Sequence, residues 1–250
     1  MTLVEIENVT RRFGGLLAVD DVTTRVEAGE LVGLIGPNGA GKTTLFNLIS
    51  GFTSLTAGRV RFKGEAIDGL KPHVIAARGM SRTFQNLRVF PNMSVFDNVS
   101  VGAVGKMGLS AGRAIFGGGG RSQAISQATW EALERVGLTE VAGELAANLS
   151  YGKRKYLEIA RALAMRPDFL ILDEPAAGLN DSETAELARF IRSLNAEGLA
   201  VMLVEHDMNL VMSICSRVVV LASGRKIADA EPDVVRADPA VLEAYLGVEE

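Results

Sequence analysis

The chain has 250 residues, enough for one large domain, or a domain with a subdomain, around a substantial core. Apolar residues make up 48% and charged residues 22%, which excludes a disordered chain, and a formal net charge of −4 argues against a protein that wraps nucleic acid. The one cysteine, Cys215, excludes an internal disulfide framework and reads as a small buried apolar residue in a reducing compartment.

The N-terminal "MTLVEIENVTRRF" carries acids where a signal peptide has an apolar run, and no window approaches the roughly 20 apolar residues of a membrane span. The expectation is a cytoplasmic chain that reaches a membrane only through a partner. From "TLVEIENV" to "DVTTRVEAGE" apolar and polar residues alternate around Gly14-Gly15, predicting paired strands. "ELVGLIG" is a short apolar strand entering a glycine-rich turn and a helix, "GKTTLFNLISG", that ends at Gly51. "GRVRFKG" is another strand, and Pro72 to Thr83 should hold a short helix and a strand ending near Gln85.

From Asn86 to about Ala147 the pattern is mostly helical. Gly102 to Arg121 is dense in glycine and reads as one mobile loop. A phosphate nest at Gly117 to Gly120 is disfavoured, because no strand precedes it and no Lys-Ser/Thr pair follows. "NLSYGKRKYLEIARALAMRP" is a helix that opens on Ser150 and Gly152 and stops at Pro167. Its Lys153-Arg154-Lys155 run reads as a solvated face rather than a nucleic-acid patch. Then strands and helices alternate: "FLILDEP", "DSETAELARFIRSLNAEG", "LAVMLVEHD", "NLVMSIC", "RVVVLASG". Strands apolar along their whole length predict a parallel sheet covered by helices on both faces. Leu187, Ile191 and Leu194 share one face of the second of these segments.

"GPNGAGKTT" fits G-x-x-x-x-G-K-[ST] between a strand and a helix. Gly36, Pro37, Asn38, Gly39, Ala40, Gly41, Lys42, Thr43 and Thr44 would cradle phosphates with backbone N–H groups and a helix N-terminus. Lys42 would reach the terminal phosphates, and the Thr43 hydroxyl would bind Mg²⁺. In "FLILDE" an apolar strand delivers Asp173 to the sheet's C-terminal edge as a second Mg²⁺ ligand, usually through water. Glu174 can polarise an attacking water; its bland alternative is a surface acid before Pro175. The residues thus describe a nucleoside triphosphatase.

The Ser-Gly helix mouth lies too far along the chain to be another turn of the same loop. "LSYGKRKYLEIARAL" followed by "PDFLILDEP" resembles the signature motif and magnesium strand of ABC-type ATPases, and the resemblance spans the whole chain. It implies an α/β fold: a P-loop NTPase core with a mostly parallel sheet, an antiparallel β subdomain and a helical subdomain. Residues 1–85 and 156–250 would form the core, and 86–155 the helical part. It implies that Phe13 stacks on adenine, where the bare alternative is a strand residue packed on Val19 or Val22. Gln85 is implied as the loop glutamine that senses Mg²⁺ and the γ-phosphate, Gly178, Leu179 and Asn180 as the D-loop, and His206 as the switch histidine. His73, without such a context, should be exposed. Leu149, Ser150, Tyr151, Gly152 and Lys153 would grip an ATP held by a second subunit packed head to tail. Catalysis would then fall to Glu174, His206 and Gln85, with ATP and Mg²⁺ as cofactors.

Two positions depart from that pattern: Lys153 stands for the usual Gln, and Asp181 for the usual Pro after Asn180, where it could cap the next helix. "RTFQNLRVFPNMSVFDNV", "EPAAGLN", "VEHDM" and "VLEAYLG" resemble the ATP-binding subunits of branched-chain amino-acid importers. That implies transmembrane permease partners, an indirect periplasmic or extracellular solute-binding protein, a peripheral position on the inner membrane face, and no nucleic acid. Residues near Gln85 to Val99, with Phe90 and Met93 exposed, would form the docking surface. Alternatives are the engine of lipopolysaccharide export or urea-type uptake, a soluble ABC ATPase of translation or DNA repair, and a P-loop kinase, which leaves "LSYGK" unexplained.

Overall fold

Three five-residue strands, β3 (Leu31–Ile35), β7 (Phe169–Asp173) and β8 (Ala200–Val204), are buried at every position. Burial on both faces is the signature of the centre of a parallel sheet, where alternation is lost. A computed structural model describes residues 1–84, 87–106 and 119–246, with residues 119, 121 and 246 described by backbone alone. The chain falls into two compact units: Met1–Ile75 with Ile171–Glu250, and Ala76–Leu170.

In the first unit, β1 (Thr2–Phe13) and β2 (Leu16–Glu27) form an antiparallel hairpin around Gly14-Gly15. β4 (Ala57–Phe62) and β5 (Glu65–Ala66) extend it in the order β2-β1-β4-β5. The main sheet runs β10 (Arg225–Ala230), β9 (Arg217–Ala222), β3, β8, β7. β3 is parallel to both β8 and β9, and β10 turns back antiparallel on β9. α1 (Lys42–Ile49) follows β3, and α2 (Pro72–Ala77) closes the N-terminal stretch.

β6 (Met80–Arg82) belongs to the second unit, where the N–H groups of Asp168 and Phe169 both donate to the Gly79 carbonyl, at 2.8 and 3.1 Å. α3 (Val95–Lys106), α4 (Gly119–Arg135) and α5 (Tyr151–Leu163) pack on one another there. This unit extends beyond 86–155 at both ends, because α5 is one continuous helix and β6 is tied to the start of β7.

α6 (Asp181–Ala196) buries Leu187, Ile191 and Leu194 in the first unit, and α7 (Met208–Ile214) packs on β3. A Cβ on Gly33 would sit 2.4 Å from Val211 Cγ1, so a side chain on β3 there would push α7 away. Cys215 is buried beside it, and burial raises its thiol to about 12, which makes it inert packing. α8 (Pro232–Ala237) and α9 (Pro239–Leu246) end the described chain. No helix among the described residues is long and apolar enough to cross a membrane.

Four expectations are corrected. Gly102–Arg121 is not one loop: 102–106 complete α3, 119–121 open α4, and the rest lies outside the described residues, as do Gly117 and Gly118 of the disfavoured nest. A Cβ at Gly102 would come 2.0 Å from the Arg161 carbonyl, so that glycine permits a close α3–α5 contact. Asp181 does not cap α6. Asn180 does, in a capping box in which its side chain accepts from the Glu183 N–H and the Glu183 carboxylate accepts from the Asn180 N–H. Lys153-Arg154-Lys155 is not a uniformly solvated face: Lys155 is buried with its ammonium 5.7 Å from the Tyr151 ring, and Arg154 donates to the Leu149 and Ala147 carbonyls. Met93 is half-buried rather than exposed, whereas Phe90 and His73 are exposed.

Candidate active site

The loop between β3 and α1 is shaped by clashes that only glycine avoids. Gly36 has φ of 151°, and a Cβ there would lie 2.1 Å from the Leu221 carbonyl oxygen of β9. A Cβ on Gly41, at φ of 97°, would lie 2.4 Å from the Ala18 carbonyl of β2. The loop is therefore seated on two strands, and the Gly224 N–H adds a bond to the Ala40 carbonyl at 3.0 Å. α1 starts at Lys42 with no side-chain cap, so the positive end of its dipole and its first N–H groups remain for an anion.

Lys42 is buried, and its Nζ donates to the Gly36 carbonyl at 2.5 Å and the Pro37 carbonyl at 3.0 Å. Burial lowers the pKa of its ammonium, while the charges of Glu174 and Asp173 pull it back up. One buried cation is thus set against two carboxylates. Thr43 is exposed and Thr44 half-buried at the start of α1, and Asn38 and Gly39 are exposed at the loop's tip.

Asp173 ends β7 and is buried. Glu174 follows in the left-handed region at φ of 47°, which costs a non-glycine residue of order 1 kcal/mol or more. Its N–H donates to the Val204 carbonyl at 2.8 Å, which joins the ends of β7 and β8. Across that joint His206 Nε2 lies 2.5 Å from Glu174 Oε1, with the His206 side chain 48% exposed and that of Glu174 14% exposed. The acid is sheltered, and its imidazole partner faces solvent.

Among the described residues no cluster of three or more acids, histidines or cysteines could hold a metal alone. Thr43 and Asp173 are hard oxygen donors too few for a cage, which suits Mg²⁺ arriving with phosphate oxygens and keeping several waters. Gln85, expected as a third ligand and sensor, lies outside the described residues. Phe13 ends β1 at 44% exposure with the Arg11 guanidinium 4.3 Å from its ring centroid. Val19 and Val22 are fully buried, whereas the Phe13 ring is partly open to solvent. Gly178 is exposed at φ of 81°, and the Leu179 N–H donates to the Ala176 carbonyl at 3.0 Å ahead of Asn180.

The signature residues belong to the second unit. Ser150 is the N-cap of α5, its Oγ accepting from the Lys153 N–H at 3.4 Å, while Leu149 is buried and anchors the mouth. Tyr151 and Lys153 are exposed and Gly152 half-buried, so this mouth is open to a ligand from outside the chain.

Three residues with structural leverage were not singled out from the sequence. Glu158, buried on α5, accepts from the Phe84 N–H at 3.3 Å; burial raises its pKa and Arg161 pulls it back. Asn98, fully buried on α3, accepts from the Phe90 N–H at 2.8 Å and donates to the Phe90 and Ser94 carbonyls at 3.0 and 2.9 Å. Glu205 is buried beside His206. Asn98 and Glu158 are polar at helical positions where periodicity expects an apolar residue, the signal that could have found them, whereas Glu205 follows the end of β8 and carries no such signal.

The sequence pattern of the ABC transporter family matches residues 19–177. A second, described as branched-chain amino acid ATP-binding cassette transporter, matches residues 225–250. The chain is 44% identical to the high-affinity branched-chain amino acid transport ATP-binding protein BraF of Pseudomonas aeruginosa, covering 98% of both chains. It is 43% identical to LivG of Escherichia coli, described in the same words, again over 98% of both. The lipopolysaccharide export system ATP-binding protein LptB of Haemophilus influenzae is 31% identical, with 99% of this chain and 98% of LptB covered. Among solved structures, the ADP conformation of an ATP-binding cassette of an ABC transporter superposes with a TM-score of 0.86 at 31% identity, over 99% of both chains.

Proposed function

The chain belongs to the ATP-binding subunits of the ABC transporter family and is an ATP hydrolase, and we propose that it powers an importer of branched-chain or related amino acids. Identity of 44% and 43% to two branched-chain amino acid transport proteins supports that substrate class, as does the matching C-terminal segment. The lipopolysaccharide export relative is more distant at 31% identity. On this reading the subunit sits on the inner membrane face through permease subunits, and a solute-binding protein delivers the cargo outside.

The loop N–H groups and Lys42 hold the β- and γ-phosphates, and the Phe13 ring stacks on adenine. Thr43, Asp173 and Gln85 would hold Mg²⁺, which would neutralise charge on the terminal phosphates. Glu174 orients a water in line with the γ-phosphate and takes its proton. His206 steadies Glu174 and contacts the γ-phosphate from the solvent side. Ser150 and Gly152 donate to the γ-phosphate of ATP held by the partner subunit, with Leu149, Tyr151 and Lys153 shaping the mouth and Gly178 to Asn180 carrying the D-loop between sites. ATP then holds two subunits together, and hydrolysis removes the bridging group and lets them part.

The observation that carries this reading is the 2.5 Å contact between Glu174 and His206, in the same unit as the buried Lys42 that faces Asp173 and Glu174. Glu174→Gln keeps the shape and removes the base. Its turnover should fall about 100-fold or more while ATP still binds. Light scattering should then show a long-lived ATP-dependent dimer. A variant that stays monomeric at saturating ATP, alone and with its permease subunits, overturns the mechanism.

A further inference from the structure

Glu205 has no part in that mechanism, yet it is 4% exposed and sits directly between β8 and His206. Its Oε1 accepts from the Ala176 N–H at 2.8 Å, and its Oε2 accepts from the His206 N–H at 3.2 Å. One carboxylate therefore joins the turn that follows Glu174 to the turn that carries His206. The Ala177 N–H donates to the Glu174 carbonyl at 3.2 Å, so the 174–177 turn closes on itself and Glu205 holds its middle. That turn keeps Glu174 at φ of 47°, a backbone that persists only where its surroundings fix it.

We propose that Glu205 is a positioning residue for ATP hydrolysis: its carboxylate sets the spacing of Glu174 and His206 across the ends of β7 and β8. The proposal rests on the reading of Glu174 as the group that acts on water. The chemistry explains why an acid stands there. Two backbone N–H groups converge on one side chain, and a carboxylate alone offers two acceptor oxygens with no donor. Glutamine has the same size but one acceptor, and it turns an amide donor against one of those N–H groups. It therefore loosens one of the two anchors and leaves the packing in place.

The test is Glu205→Gln, measured for kcat, KM for ATP and melting temperature. The expected result is a fall in kcat of about tenfold or more, with KM within about twofold, because the phosphate loop is held by other residues. The melting temperature should stay within a few degrees. Glu205→Gln added to Glu174→Gln should leave the residual rate unchanged, since a residue acting through Glu174 has nothing left to position. Wild-type kcat in Glu205→Gln overturns the proposal. So does a loss in which KM, melting temperature and kcat move together, or an equal fractional loss in the Glu174→Gln background. If Glu174→Gln itself keeps wild-type turnover, the reading of Glu174 falls and takes this proposal with it. Failure of Glu205→Gln alone leaves that reading standing.

Discussion

Gly36 and Gly39 both have positive φ, of 151° and 78°, yet they differ in what surrounds them. A Cβ on Gly36 meets the Leu221 carbonyl at 2.1 Å, while a Cβ on Gly39 has nothing within 4 Å. Gly39→Ala should thus carry only backbone strain, about 1 kcal/mol. Gly36→Ala must also displace β9 or the loop and should cost about 2 kcal/mol or more, with weaker ATP binding. Melting curves and nucleotide titrations of the pair check this; equal effects would mean that β9 does not seat the loop. Lys42, Asp173 and Glu174 were legible in the sequence without such long-range contacts. A glycine-rich turn between strand and helix, and an acid ending an apolar strand, each state their own geometry locally. Glu205 was not legible, because an acid after a strand ordinarily faces water. Its burial comes from the 174–177 turn, which reaches it only after the sheet has formed. Lys155 differs: the residue is buried, and its ammonium lies 5.7 Å from the ring of Tyr151 one helical turn earlier, a local pairing that the basic run concealed.

At the scale of elements, β9 and β10 are tied to the hairpin by one arginine. Arg217 at the start of β9 donates to Glu30 at 2.6 Å, to Asp229 of β10 and to the Arg25 carbonyl of β2. Lys226 adds a bond to Asp229 at 3.0 Å, and the Thr24 hydroxyl another at 2.9 Å. Burial alone would raise the Asp229 pKa, but the bonds from Lys226 and Arg217 outweigh it and hold the carboxyl below its ordinary 3.8. A depressed acid stabilises the fold above its unfolded pKa and loses that contribution as pH falls through the folded value. The melting temperature of Asp229→Asn should therefore lie furthest below wild type near neutral pH, and the gap should close as pH drops below about 3.8. A gap independent of pH would show that Asp229 acts by shape alone. The strands of this region were plain from their apolar runs. The arginine cluster was not, since its members are scattered from Thr24 to Asp229 and meet only through sheet order. The helical unit was harder still. The glycines of Gly102–Arg121 read as flexibility, where Gly102 in fact lets α3 approach α5, a distinction that needs the partner helix in view.

For the whole molecule, the two halves of the proposed ATP grip fall in different units of one chain. Lys42, Asp173, Glu174 and His206 lie in Met1–Ile75 with Ile171–Glu250, and Ser150 and Gly152 in Ala76–Leu170. If each nucleotide is held by the loop of one subunit and the helix mouth of another, damage to the two halves must complement between chains. Lys42→Ala removes the phosphate contact of its own loop. Gly152→Asp puts a negative charge where the partner's phosphate would sit. Either protein alone has no intact site and should be inactive. An equal mixture places the sound loop of one beside the sound mouth of the other in half of its dimers. Each such dimer has one working site of two, so about a quarter of wild-type turnover should return if the sites act independently. The regained rate should vary with the mixing ratio and peak at equal amounts, because it follows the fraction of mixed pairs. A mixture as inactive as its components would mean that loop and mouth serve the same chain or that the mouth binds no phosphate, and the head-to-tail grip would be lost with it.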